Sequence, residues 1–177
     1  SAGSAMLVWS FSNSNNEEDL YAQRIDINCN LLWPNSNNPS YSGIPISLES
    51  GNQSYPRVTY YDENSSVVVW EDDRSGDDDI YAQFINMDGS LAFNQDLLVC
   101  SASDRQYKPR VKADSNGAFV VWSDRRNSNF IDDNNHIYMQ KINAITGVEW
   151  IEEIEIGVDS DNVNFGVDHK EARLSID

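Results

Sequence analysis

An all-β fold is predicted by three features of the sequence taken together. No stretch of about 10 to 12 residues carries apolar residues at helical spacing. Short apolar or alternating runs are instead bounded by turn residues, among them Asp62-Glu63-Asn64, Ser75-Gly76, Asp88-Gly89 and Ser115-Asn116-Gly117. Most informative, the chain repeats itself. The segments "AMLVWSFSNSNNEEDLYAQRIDINCN", "SSVVVWEDDRSGDDDIYAQFINMDGS" and "GAFVVWSDRRNSNFIDDNNHIYMQKINAITG" align. Each holds Val-Trp, a polar loop, an aliphatic residue, Tyr, one further residue and Gln. The period of about 52 to 63 residues is that of a four-stranded propeller blade. The expected architecture is a β-propeller segment of three four-stranded blades. Residues 1–177 form one segment, with repeat units over about 4–62, 63–114 and 115–177.

With blade strands lettered a to d from the centre outward, each unit runs b, c, d, a. In the second unit Val67–Trp70 is strand b. It is continuously apolar, as a strand covered on both faces should be. Ile80–Ile85 is strand c, with Tyr and Phe at positions that favour β structure. Leu97–Cys100 is strand d. Strand a carries a second recurring marker, seen in "YPRVTYYDEN", "KPRVKADSNG" and "KEARLSID", and residues 56–60 alternate in polarity. The chain thus starts at strand b and ends at strand a. The end "ARLSID" followed by the start "SAGSAMLVWS" reads like the internal "PRVKADSNGAFVVWS". Either the termini share a blade, or the segment is an excerpt of a longer array. Propellers close with about four to eight blades, so three are too few. An open wedge would leave apolar faces bare. The expected partners are therefore further blades from the same longer chain or a second copy, with a head-to-tail dimer of six blades as the simplest closed case.

Charge narrows the partners. The 177 residues carry 29 acids against 12 Lys and Arg, a net charge of -17. Such a field repels nucleic acid and anionic membrane and favours cations, or basic or neutral ligands. No apolar run approaches the ~18 residues a spanning helix needs, so no direct membrane insertion is expected. Cys29 and Cys100 fall at different places in the repeat and are not paired. No signal peptide is apparent, and "SAGSAM" lacks an initiator Met, which reads as a processed, truncated or excerpted chain.

The pattern "VVW-x-D-x-R … D-I-Y-A-Q … D-G … P-R-V" resembles the propeller repeats of large secreted or surface proteins of bacteria, especially Bacteroidetes-like organisms. The resemblance covers nearly the whole chain. It implies an extracellular or cell-surface setting and a role among adhesins, binding modules or scaffolds. Neither the Asp-box of sialidases nor the Gly-His and Trp-Asp signature of WD40 blades is present.

Candidate site residues fall into three groups. In the loop after the repeated Trp, Asp72 and Arg74 correspond to Asp124 and Arg126, whereas the first unit has Phe11 and Asn13. An Asp followed two residues later by Arg, at the exit of a buried strand, suits a turn that caps its own amides and pairs with its neighbour. The acids that do not recur, Asp77, Asp78 and Asp79, are the candidate Ca²⁺ ligands, although the EF-hand order and its closing Glu are lacking. Arg57, Arg110 and Arg173 recur at the start of strand a. They are read either as partners of the loop Asp of an adjacent blade, or as a ring at the channel mouth for an anionic ligand. With Phe11 in place of the Asp, one of these arginines would lose its partner.

Among aromatics, Trp9, Trp70 and Trp122 recur in register and are expected to pack between blades, as are Tyr21, Tyr81 and Tyr138. Trp33, Tyr41, Trp150, Phe130 and Phe165 are read as non-recurring, and so as candidates for stacking on carbohydrate. His136 and His169 fall in no triad or metal-ligand spacing. No His-Glu-x-x-His, Gly-x-Ser-x-Gly, phosphate loop or Cys-x-x-Cys is present. Asn52 and Asn64 begin formal glycosylation sequons. Because every recurring residue has an architectural use, the expected role is a non-enzymatic binding, adhesion or scaffold module. The alternative is a fragment of a carbohydrate-active propeller enzyme with a glycosidase-like carboxylate pair.

Overall fold

The computed structural model describes residues 3–33, 43–114, 116–127 and 135–159. Among the described residues there are twelve strands and no helix. They form three antiparallel sheets. In the first sheet, β1 (Ser4–Ser12), β2 (Glu18–Asp26) and β3 (Ile44–Ser47) lie side by side. The middle sheet is β4 (Gln53–Tyr60), β5 (Ser65–Asp72), β6 (Asp79–Asn86) and β7 (Leu97–Cys100), in that order. The third comprises β8 (Gln106–Asp114), β9 (Gly117–Asp124) and β10 (Asn135–Asn143), with both β11 (Gly147–Val148) and β12 (Ile154–Asp159) on the outer edge of β10.

Strand counts therefore depart from an even four per sheet. Among the described residues the first sheet has no strand on the free edge of β1. The third sheet has its outer strand in two pieces. The split has a local cause that all three sheets share. After the inner hairpin a tight turn brings the chain back for one bridge, Ile25 to Leu31 and Ile85 to Leu91. In the third sheet the same contact, Ile142 to Val148, is extended by Asn143 to Gly147 and so counts as a strand. In the middle sheet this turn needs a left-handed residue, supplied by Gly89 at φ 91°. In the first sheet Cys29 takes that conformation at φ 65°.

The middle sheet is packed on both sides, and its sequence shows why. Every residue of β5 is buried. Successive side chains point to opposite faces. Val67 and Val69 join Ile80, Ala82 and Phe84 in a cluster with Val111, Val120 and Trp122 of the third sheet. Val68 and Trp70 join Ile85 in a second cluster with Leu20, Ala22 and Ile46 of the first. A strand with only one buried face would alternate with polar residues; "SSVVVWED" does not. Complete burial of a Val or Ile side chain contributes about 1.5 to 3 kcal/mol, so these two clusters hold the stack together.

Trp70 is wholly buried between the first and middle sheets. Trp70→Ala is expected to lower unfolding free energy by about 3 to 5 kcal/mol in denaturant titration, with both the cavity and the lost indole bond to the buried Asp72 carboxylate contributing.

Candidate functional site

The repeated loop builds a joint between sheets. β5 ends at Asp72, whose carboxylate turns back under Trp70. Its Oδ2 accepts from the indole Nε1 at 2.8 Å, and Oδ1 accepts from the Arg74 backbone N–H at 3.1 Å. The Arg74 guanidinium closes on both oxygens, Nε at 2.8 Å and Nη2 at 2.5 Å. It lies 4.2 Å from the centre of the Tyr81 ring. That ring in turn stacks on Trp70 at 6.2 Å. The free side of Nη2 reaches Asp96 at 2.8 Å and, in the first sheet, the Ser47 hydroxyl at 3.2 Å. Burial works against the Arg74 charge, and the Asp72 and Asp96 carboxylates more than offset it, so its pKa is raised.

The third sheet carries the same assembly. Asp124 accepts from Trp122 Nε1 at 2.9 Å, from the Arg126 backbone N–H at 2.8 Å and from Arg126 Nη2 at 2.6 Å. Arg126 sits 4.0 Å from the centre of Tyr138, and Tyr138 stacks on Trp122 at 6.4 Å. Its outward contacts are Glu153 at 3.3 Å and, back in the middle sheet, Cys100 Sγ at 2.9 Å. Burial first, opposed by an Ala102 amide and the Arg126 charge, pushes the Cys100 thiol up to about 12. It is therefore a protonated packing group. The first sheet keeps the stack, Trp9 on Tyr21 at 6.3 Å, but has Phe11 and Asn13 where the carboxylate and guanidinium stand elsewhere.

The repeated Gln forms a second device. Gln23 Nε2 donates to the Trp33 carbonyl at 2.9 Å, while its Oε1 accepts from the Trp33 amide at 3.1 Å. Gln83 holds Phe93 in the same way, at 3.0 and 3.2 Å, and Gln140 holds Trp150, at 3.3 Å for both bonds. Trp33 and Trp150 thus do recur, in register with Phe93, always ten residues after the Gln. The expectation that they stand outside the repeat is corrected: variable loops upstream hide a fixed offset. Trp33 is only 2% exposed and donates its indole N–H to the Met87 carbonyl at 3.0 Å. A sugar ring has no access to its face. Trp150 is half-buried against Phe119, 6.0 Å between ring centres.

The acidic triplet does not converge. Asp77 is exposed, Asp78 pairs with Arg105, and Asp79 is buried and accepts from the Ser75 hydroxyl at 2.5 Å. Among the described residues no group of three or more His, Cys, Asp or Glu is placed to hold a metal. The Asp79 carboxylate serves its own loop and the Asp78 carboxylate the next sheet, where the Asp78 backbone carbonyl also accepts from the Gln106 N–H at 2.7 Å.

Arg57 and Arg110 follow a bulge in β4 and β8, where register slips between Ser54 and Arg57 and between Tyr107 and Arg110. Each guanidinium donates to the carbonyl of the preceding proline, at 2.9 and 3.0 Å. The loop carboxylates Asp72 and Asp124 are held by Arg74 and Arg126 of their own loops. In the bulge, Tyr55 and Lys108 take φ of 51° and 54°, and the Lys108 amide donates to Glu71 Oε1 at 2.6 Å. Burial raises the pKa of Glu71 against the opposing Lys108 amide. The Asn52 amide is tied to Asp73 at 2.8 Å, which engages that sequon. Arg173, Tyr41, Phe130, Phe165, Asp132, Asp133 and His169 lie outside the described residues.

No protein-family model, curated protein or solved structure matches the chain.

One group was invisible to pattern reading. Glu155 on β12 accepts from the Tyr138 hydroxyl at 2.9 Å and bonds His136 Nδ1 at 2.9 Å. The His136 and Tyr138 bonds hold its carboxyl below the usual range. Burial, then the Glu155 contact, raises the Tyr138 phenol. The corresponding residues opposite Tyr21 and Tyr81 are Pro45 and Leu98, so the cluster belongs to the third sheet. It depends on a bulge in the β10–β12 register, which no sequence spacing discloses.

Two outcomes follow from these joints. Arg126→Lys is expected to cost about 1 to 3 kcal/mol in chemical unfolding, because one ammonium cannot at once bond Asp124, reach Glu153 and Cys100 and lie flat on Tyr138. Glu71→Gln keeps an acceptor for Lys108 and removes a buried charge. With its folded pKa raised, the stability Glu71 contributes is fully present below its unfolded value near 4.5 and is lost as pH rises through the folded value. Unfolding free energies from about pH 4 to about pH 7 should shift in favour of the Gln variant as pH rises; a pH-independent difference would contradict this.

Proposed function

We propose that the three sheets are propeller blades and that the chain is a non-enzymatic binding, adhesion or scaffold module of a secreted or cell-surface bacterial protein. One observation carries this reading. The polar side chains that recur in the sequence, Asp72, Arg74, Asp124, Arg126 and the Gln set, are consumed in joints within and between sheets. They support a frame, and recognition is left to the loops that differ between units. The order of strands within the middle sheet, each antiparallel to the next, and its burial on both faces fit a blade flanked by blades. A shallow, open depression lined by Phe93, Asn94, Gln95, Asp96, Leu97 and Leu98 suits surface docking of a glycan or protein. The charge of -17 favours a neutral or basic partner over nucleic acid.

The second reading, a fragment of a carbohydrate-active enzyme, draws on the Tyr138–Glu155–His136 cluster, where an ionised carboxylate meets a phenol and an imidazole. Probing a glycan array with the intact chain, and assaying the retained glycans for hydrolysis, separates the two. Retention without turnover is expected. Hydrolysis that disappears in Glu155→Gln would replace the binding reading with the enzymatic one.

A further inference from the structure

The two Asn-x-Ser acceptors for N-linked glycan, Asn52-Gln53-Ser54 and Asn64-Ser65-Ser66, are treated differently by the fold. Asn52 is used in a joint. Its Oδ1 accepts from the Glu18 N–H of the first sheet at 3.2 Å, and its Nδ2 donates to Asp73 Oδ2 at 2.8 Å. Asn64 stands exposed in the turn between β4 and β5. Among the described residues only its backbone is engaged: the N–H donates to Asp62 Oδ1 at 2.7 Å, and the carbonyl accepts from the Met87 N–H at 2.8 Å. Its side-chain amide is left to solvent.

The hydroxyl that completes the second acceptor is not used by the fold. Ser66 is 1% exposed, and its Oγ has no hydrogen-bond partner among the described residues. Burying a hydroxyl in that state costs stability. The position recurs: Ser66 lies opposite Ile85, Ala118 opposite Ile142 and Ala5 opposite Ile25. Alanine therefore fills this place in the other two sheets. The third sheet also shares the turn bond, since the Asn116 N–H donates to Asp114 Oδ1 at 2.7 Å as that of Asn64 does to Asp62. The Asp and the Asn are thus architectural in both turns, and the Ser66 hydroxyl is what the middle sheet adds. Asn64 alone has all three groups: Asn116 lacks the hydroxyl, and Asn52 has Ser50 in the place of Asp62.

We propose that Asn64 is an N-glycosylation site and that the Ser66 hydroxyl serves it. The proposal rests on the secreted or cell-surface reading, because the transfer takes place on an exported chain. Side chains two residues apart line one face of an extended chain. Before folding, Asp62, Asn64 and Ser66 therefore present a carboxylate, an amide and a hydroxyl together to an oligosaccharyl transferase. The donor is an oligosaccharide linked through pyrophosphate to a lipid. Asn64 Nδ2 bonds the sugar C1 as the C1–O bond to phosphate breaks. The lipid pyrophosphate leaves with the electron pair, and the amide proton passes to a base of the transferase. Folding then buries Ser66. The glycan stands at the Ser65 end of β5, away from the joint that Asp72 makes at the other end.

The test is to export the intact chain, behind a cleavable signal sequence, from a bacterium that holds such a transferase and its lipid-linked glycan. A known acceptor sequence fused at the C-terminus reports export and transfer independently. Peptide mass spectrometry should find the glycan on Asn64 and none on Asn52 or Asn116. Ser66→Ala should abolish it, while the unglycosylated variant melts at or above the temperature of the unglycosylated native chain. Ala118→Ser should add a second glycan, on Asn116. Asn64 left bare beside a glycosylated fusion overturns the proposal, and so does a glycan that survives Ser66→Ala. Both of those results come from a chain that was exported, so they leave the surface reading untouched. Recovery of the native chain from the cytoplasm of its own cells would instead overturn the surface reading, while the exported chain still decides whether Asn64 is an acceptor.

Discussion

The stack depends on a carboxylate buried at the end of a buried, largely apolar strand. Asp72 and Asp124 are 0% exposed. A buried charge of that kind is tolerated only with a full set of partners. Here the set is fixed by sequence: an indole N–H from two residues earlier, and an amide and a guanidinium from two residues later. The guanidinium is then held flat on a Tyr that stacks on the same Trp. Four side chains from two strands and their turn satisfy one another. The spare nitrogen face of the arginine is all that points outward, and it joins one sheet to the previous one.

The loop works in both directions. While Arg74 reaches back to Ser47, Asp78 at the far end of the same loop reaches forward to Arg105, and Glu71 near the end of β5 receives the Lys108 amide of β8. The acids between the two strands are thus the means by which a middle sheet holds both neighbours. Asp73 and Asp79 are held nearer home, by the Asn52 amide and the Ser75 hydroxyl. Asp77 alone faces water.

Much of the all-β architecture was legible in the sequence, because buried strands announce themselves. "VVVW" has no polar alternation and lies between two sheets; Leu97–Cys100 is a strand over the same four residues as expected. Residues 56–60 were read as a strand, and the structure begins it earlier, at Gln53, since a bulge at Tyr55 and Pro56 lets the ladder resume beyond an imino acid that cannot donate. The Asp–Arg spacing was legible because both partners sit in one turn. What was not legible needed register across strands. The fixed offset from Gln to Trp33, Phe93 and Trp150 passes over loops of unlike composition, and the Glu155 cluster arises only when β12 aligns with β10. Charge-rich triplets misled for a related reason: three consecutive carboxylates in a turn point in different directions, so adjacency in sequence opposes convergence on an ion.

The central claim is that the loop Asp and Arg act as one unit that fixes the joint. A double-mutant cycle on Asp72→Ala and Arg74→Ala, read by equilibrium unfolding, tests it most directly. The account predicts that the two losses are far from additive, with a coupling of about 1 to 3 kcal/mol, because either substitution alone strands the other charge. Additive losses, with a coupling within about 0.5 kcal/mol of zero, would show that the pair is a surface ornament and that apolar packing alone aligns the sheets.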